Sequence, residues 1–167
     1  MITRENNYAF IDSNNLNLGV RSLGWNLDFK KFRIYLKEKY GVSTAYLFIG
    51  FIPQNQDLYS SLQKNGYVLI FKPVLPNKDG NHKGNVDADL VLQAMIDYNN
   101  YDKAIIVTSD GDFYCLVKYL YEHSKLKMVI SPYTKTCSSL LKNSAKEKIV
   151  FTDNLRGKLE YKRKSTA

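Results

Sequence analysis

Within Ile105-Ile106-Val107-Thr108-Ser109-Asp110-Gly111-Asp112-Phe113, an apolar run rich in β-branched residues gives way to a polar turn. That pattern is a short buried strand running into a loop. Two carboxylates flank a glycine there, and Phe113, Leu116, Val117 and Leu120 follow at helical spacing. A strand that hands over to a helix through Ser-Asp-Gly-Asp holds both acids at its carboxyl end, where open α/β sheets place their ligands. The turn is therefore read as half of a metal site.

Moving outward from this turn, the same alternation recurs on both sides. Strands are predicted at 8–12, 44–49, 67–71, 103–108 and 126–130, with an edge strand at 149–151. A glycine-bearing loop through Gly19 and Gly24 follows the first strand. Phe29, Phe32, Leu36 and Tyr40 then form the stripe of an amphipathic helix ended by Gly41. Pro53 opens a second helix through Leu58 and Leu62 to a stop near Gly66. Residues 76–85 have turn chemistry and are read as a loop or short hairpin. Helices are predicted at 86–99, 112–123 and around 138–143. Strands alternating with helices imply right-handed crossovers. The expected fold is a three-layer α/β/α sandwich with a mostly parallel central sheet, a single domain over 1–155 followed by a mobile basic tail over 156–167.

Composition narrows the function classes. The 167 residues suit one domain with a substantial core, and 44% hydrophobic content with 13% aromatics marks an ordered protein. The formal charge of +8 favours a polyanionic partner such as nucleic acid, although Arg156 to Lys164 alone holds five basic residues and one acid. The polar N-terminal residues and the absence of a long apolar run give no leader and no membrane span, so a cytoplasmic location without a membrane partner is expected. Cys115 and Cys137 lack C-x-x-C spacing, which points to reduced thiols rather than zinc or a disulfide. Cys115, among apolar helix positions, is expected to be buried. No Gly-rich phosphate loop follows the first strand, which argues against a dinucleotide-binding enzyme.

In a parallel sheet all carboxyl ends share one edge. Asp12 ends the first predicted strand, and Asp110 and Asp112 follow the fourth. If those strands are neighbours, three acids meet. The 3.6-residue helical period adds a fourth: Asp87 sits at the centre of the face carrying Leu90, Val91, Ala94 and Tyr98, while Asp89 points to the far side. Leu92 and Ile96 also lie on that far side, which allows a helix buried more widely. Each acid has a plainer reading: Asp112 as a helix cap, Asp110 as a turn stabiliser, Asp12 in an Asx-turn, Asp87 as a first-turn helix acid. A shared site explains all four at once. Clustered carboxylates repel unless protonated or bridged by a cation, and all-oxygen ligation suits Mg²⁺ or Mn²⁺. Asn14 and Asn15 follow Asp12 closely, and Asn15 is the better candidate to bond a site carboxylate or a substrate phosphate. Thr108 and Ser109 could orient the acids. Asp57, Asp79, Asp97, Asp102 and Asp153 look like surface or turn acids.

Three segments together resemble NYN domains of the PIN-like nuclease superfamily, in the bacterial LabA-like branch. They are Phe10-Ile-Asp12-Ser-Asn-Asn15-Leu16, Lys83-Gly84-Asn85-Val86-Asp87-Ala-Asp89-Leu90 and Val107-Thr-Ser-Asp110-Gly-Asp112-Phe113. The resemblance implies a PIN-like α/β/α sandwich and metal-dependent hydrolysis of RNA, as an endoribonuclease. Asp12, Asp87, Asp110 and Asp112 match the family's Mg²⁺- or Mn²⁺-binding acids. Asp12, Asp87 and Asp110 are expected as main ligands, with Asp112 a ligand or a holder of coordinated water. Asn14, Asn15, Ser109 and Lys83 are the candidate substrate contacts. Many relatives carry a further acid where this chain has Gln93, which the wheel places off the inward face. RNA is the expected partner, with a homodimer as a further option. Two rivals stand beside this reading. One is a non-catalytic RNA-binding or regulatory module on the same fold. The other is a Mg²⁺-dependent phosphatase of the haloacid-dehalogenase type, which would need an acid where Asn14 stands.

Overall fold

A computed structural model describes residues 4–73, 75–76, 82–83 and 86–164. In chain order the elements are β1 (Asn7–Asp12), α1 (Ser13–Ser22), α2 (Phe29–Tyr40), β2 (Val42–Phe51), α3 (Gln56–Lys64) and β3 (Tyr67–Pro73). The short strands β4 (Leu75–Pro76) and β5 (His82–Lys83) follow, then α4 (Asp87–Ile96), β6 (Ala104–Val107) and α5 (Tyr114–Glu122). The chain closes with β7 (Leu126–Ser131), α6 (Ser139–Ala145), β8 (Ile149–Phe151) and α7 (Arg156–Leu159).

The six long strands form one sheet in the order β3-β2-β1-β6-β7-β8, and every pairing in it is parallel. Because side chains alternate along a strand, each strand feeds two cores. Ala9, Ile11, Ala45 and Leu47 join Leu16, Val20, Phe32 and Leu36 from α1 and α2. Phe10, Phe48, Ala104 and Ile106 join Leu90, Leu116, Val117 and Leu120 from α4 and α5. Burial on both faces explains why the strands are near-continuous apolar runs. The expected α/β/α sandwich is the observed one.

From β1 the chain steps outward through β2 to β3, then crosses back and resumes at β6 on the other side of β1. The connections above the carboxyl ends of β1 and β6 therefore leave toward opposite faces of the sheet. That divergence opens a crevice at the point where strand order reverses.

Several expectations are corrected. The glycine-bearing loop after β1 is the helix α1, capped by Asp12, whose carboxylate accepts from the Asn15 N–H at 3.3 Å. Its buried stripe is only Ser13, Leu16 and Val20, and its asparagines are poor helix formers. Gly19 is no turn residue: a Cβ there would overlap the ring of Pro132. In α3 the buried residues are Tyr59 and Leu62, whereas Leu58 is exposed. Leu92 and Ile96 are also exposed, so α4 buries one face only. Cys115 is exposed and Cys137 buried, because Cys115 falls opposite the Leu116–Val117–Leu120 face of α5. Asp97 is a buried acid rather than a surface one: it accepts from Tyr46 Oη at 2.6 Å, Gln93 Nε2 at 2.9 Å and Asn100 Nδ2 at 3.2 Å. Burial pushes this carboxyl up, but the three hydrogen bonds together hold it below the usual range.

The segment from Arg156, expected as a tail, begins with the helical turn α7. Leu159 is fully buried beside α2, and the Tyr161 N–H donates to Asn26 O at 2.8 Å. β4 and β5 pair antiparallel as a small hairpin. Asp79 lies outside the described residues.

Candidate active site

The site is built on the two strands flanking the reversal. Ile11 is level with Val107 across the β1–β6 pairing, so Asp12 and Thr108 leave the sheet side by side. Thr108 is fully buried and serves both neighbours: its Oγ1 donates to Asp12 Oδ2 at 3.4 Å and accepts from the Asp110 N–H at 3.2 Å. One hydroxyl thereby sets the spacing between two carboxylates from distant parts of the chain.

Asp12 is only 7% exposed. Burial is the main force on its carboxyl, opposed by the Asn15 N–H, and the nearby charges of Asp87 and Asp110 add to the upward push. The Thr108 hydroxyl offsets part of this, and the balance lifts the pKa to about 6. A buried carboxyl surrounded by like charge favours its protonated form unless a cation neutralises the group.

After β6 the chain makes a 3₁₀ turn, Gly111–Phe113, capped by Asp110 rather than by Asp112: Asp110 Oδ1 accepts from the Asp112 N–H at 2.9 Å. Asp112 is left to project outward. The turn can press against α6 because Gly111 has no side chain; a Cβ there would overlap that of Ser138. Asp87 opens α4 with Leu90 and Ala94 buried beneath it. Asp89 points away, exposed, 3.8 Å from Lys72 Nζ, as the helical period requires.

Asp87, Asp110 and Asp112 each bring an oxygen within 4.8 Å of the other two. Asp12 is outside that tight set of three. It lines the same cleft of about 1330 Å³ with them, together with Asn14, Asn15 and Ser109, and its charge is coupled to two of the three. Three converging carboxylates are a hard, all-oxygen donor set, which fits a divalent cation of the Mg²⁺, Mn²⁺ or Ca²⁺ type. Asn15 braces the loop: its Oδ1 accepts from both the Ser109 N–H, at 2.8 Å, and the Ser109 hydroxyl, at 2.9 Å. Lys83 has its backbone in β5, but its side chain lies outside the described residues.

The cleft also takes in Asn17, Leu18, Ile52, Asn55, Leu58, Lys72 and Thr136, none of which was singled out from sequence as a site residue. For Thr136 a signal existed, since loops leaving strand carboxyl ends line this edge and Thr136 lies between β7 and α6. For Asn17 and Leu18 the signal was hidden by reading α1 as a loop.

The NYN domain family matches residues 8–153, a span that holds all four acids. The chain belongs to the NYN domain family. NYN domains are generally nucleases and commonly use divalent metals, so membership and the carboxylate cluster point to the same chemistry. Among solved structures, this NYN domain is similar to a Vibrio parahaemolyticus protein of unknown function. The two share 23% identity at a TM-score of 0.78, over 92% of this chain and 96% of that one, a likeness of fold. A PLP-bound putative aminotransferase from Clostridium difficile 630 aligns at 13% identity and a TM-score of 0.34, over 86% of this chain and 45% of that one, and carries no weight. No curated protein matches the sequence. Among the described residues of the NYN domain, no helix is long and apolar enough to cross a membrane.

Proposed function

We propose that this NYN domain is a metal-dependent ribonuclease that hydrolyses phosphodiester bonds in the cleft above β1 and β6. The observation that carries the reading is the approach of Asp87, Asp110 and Asp112 to within 4.8 Å, at the place where the topology opens a ligand crevice. Asp87, Asp110 and Asp112 hold the cation, with Asp12 completing the acidic set from the cleft floor. A bound Mg²⁺ or Mn²⁺ supplies a lowered water pKa and neutralises charge developing on the phosphate oxygens. Thr108 and Asn15 keep the carboxylates in place. Asn14, Ser109 and Lys83 are assigned to the substrate. The net charge of +8 favours a polyanion. RNA as substrate, endonucleolytic cutting and a bacterial setting rest on the likeness of the three signature segments to LabA-like NYN domains.

The test is incubation of the purified protein with end-labelled RNA and DNA in Mn²⁺, in Mg²⁺ and in a chelator. Cleavage of RNA that needs the metal and disappears in Asp12→Asn and Asp110→Asn is the expected result. Cleavage by either variant at the wild-type rate overturns the assignment.

A further inference from the structure

We infer that the cleft contains a second zone, a neutral slot that takes an unpaired nucleobase next to the scissile phosphate. This rests on the nuclease reading for the phosphate's position, but not for the slot's own chemistry. Away from the four aspartates and from Lys72, whose Nζ lies 3.8 Å from Asp89, the cleft wall includes Asn14, Asn17 and Leu18 of α1, Ile52 after β2, Asn55 just before α3 and Leu58 within it. These six side chains carry no charge.

Two features set this wall apart from an ordinary surface. Leu18 is 55% exposed, Leu58 45% and Ile52 39%, although all three sit in a concave part of the molecule. Their exposure is therefore not accounted for by the core. Asn14, Asn17 and Leu18 follow one another at i, i+3 and i+4, which puts them on one face of α1, with amides directly beside an apolar group. A flat base requires this combination: apolar surface against its faces, and neutral groups that can both donate and accept along its edge. The asparagine amide offers both. A phosphate or a basic peptide would instead call for charges that these six residues lack.

The continuity of the slot with the acid cluster argues for a nucleotide rather than a protein partner. Asn14 and Asn15 come directly after Ser13 in the helix that Asp12 caps, so only about half a helix turn separates the carboxylate floor from the first amide. A strand whose phosphate lies over the aspartates places its neighbouring base along α1. A base held in a duplex has its edge occupied and its faces stacked, so the slot selects single strands.

The experiment uses the full chain with short labelled single strands of RNA and of DNA, their abasic counterparts and a duplex. Binding is read by fluorescence anisotropy in Ca²⁺, and cleavage in Mn²⁺. Removing the base beside the cut is expected to weaken binding by about tenfold, as for loss of one stacked base. In Leu18→Ala and Leu58→Ala, which truncate exposed side chains, intact and abasic strands should bind alike. Equal affinity of the wild type for intact and abasic strands overturns the slot, as do preference for duplex and absence of binding to any strand. Loss of self-association in Leu58→Ala with the intact-to-abasic ratio unchanged overturns it in favour of a second copy of the chain. Base-dependent binding without cleavage sinks the nuclease reading and leaves the slot standing; cleavage indifferent to bases does the reverse.

Discussion

Asn15 Oδ1 lies 2.8 Å from the Ser109 backbone nitrogen and 2.9 Å from its hydroxyl, tying α1 to the loop after β6 across 94 residues of chain. The bonds hold the loop one residue before Asp110. Asn15→Leu strips both and leaves a part-buried N–H unpaired, so it should cost about 1–3 kcal/mol of stability and lower the cleavage rate. Asn15→Asp keeps an acceptor for both donors and should retain most of the stability. Chemical denaturation of the three proteins, beside single-turnover rates, separates the two effects.

The buried carboxyl of Asp12 gives a stability signature of unusual sign. Its folded pKa of about 6 lies above the ordinary 3.8, so between those values the native state holds a proton that the unfolded state has lost. Stability from this group is therefore greatest at low pH and declines as pH rises toward 6. The full loss is about 3 kcal/mol, from roughly two pK units. Asp12→Asn, which still accepts from the Asn15 N–H, should be more stable than wild type at neutral pH by roughly 2 kcal/mol in chelator. The gap should close toward pH 4. Urea melts of both proteins across this range measure it; a wild type as stable as the variant at neutral pH would contradict the burial argument.

Cation binding should reverse that cost. Mn²⁺ in about hundredfold excess over its Kd should stabilise the fold by about 2.7 kcal/mol, and chelator should abolish the gain. Asp110→Asn and Asp112→Asn should each remove most of the thermal shift. Asp89→Asn should not, because Asp89 stands outside the three-carboxylate group and faces Lys72 at 3.8 Å. A shift unaltered in all three variants would place the ion elsewhere.

Gly111 is a steric requirement rather than a conformational one. Gly111→Ala drives a Cβ into the Ser138 side chain and should cost about 1–3 kcal/mol, as overpacking does. It should also displace the turn that bears Asp110 and Asp112, weakening Mn²⁺ affinity. Adding Ser138→Gly to the variant opens the space and should restore both properties. Failure of that rescue would show the damage to lie in the turn itself.

The strand ends and the inward placement of Asp87 could be read from the sequence because period-two and 3.6-residue patterns are local. α1 could not, because its apolar stripe is two residues wide and its glycine answers to Pro132, 113 positions further on. The burial of Asp97 escaped for a similar reason: this residue ends α4, and its partner Tyr46 comes from β2, 51 residues away. The acids themselves were found because topology carries strand ends to one edge whatever the loops do. What sequence could not supply was their grouping, in which Asp112 rather than Asp12 stands with Asp87 and Asp110.

The strand order β3-β2-β1-β6-β7-β8 has a temporal consequence. β1 to β3 precede α4 and β6 in the chain, so while those are unmade Asp12 stands beside an empty sheet edge with neither Asp87 nor Asp110 near it. Only when α4 and Ala104–Val107 have docked against β1 does the negative charge converge. A nascent chain thus stays unarmed until its second half is in place.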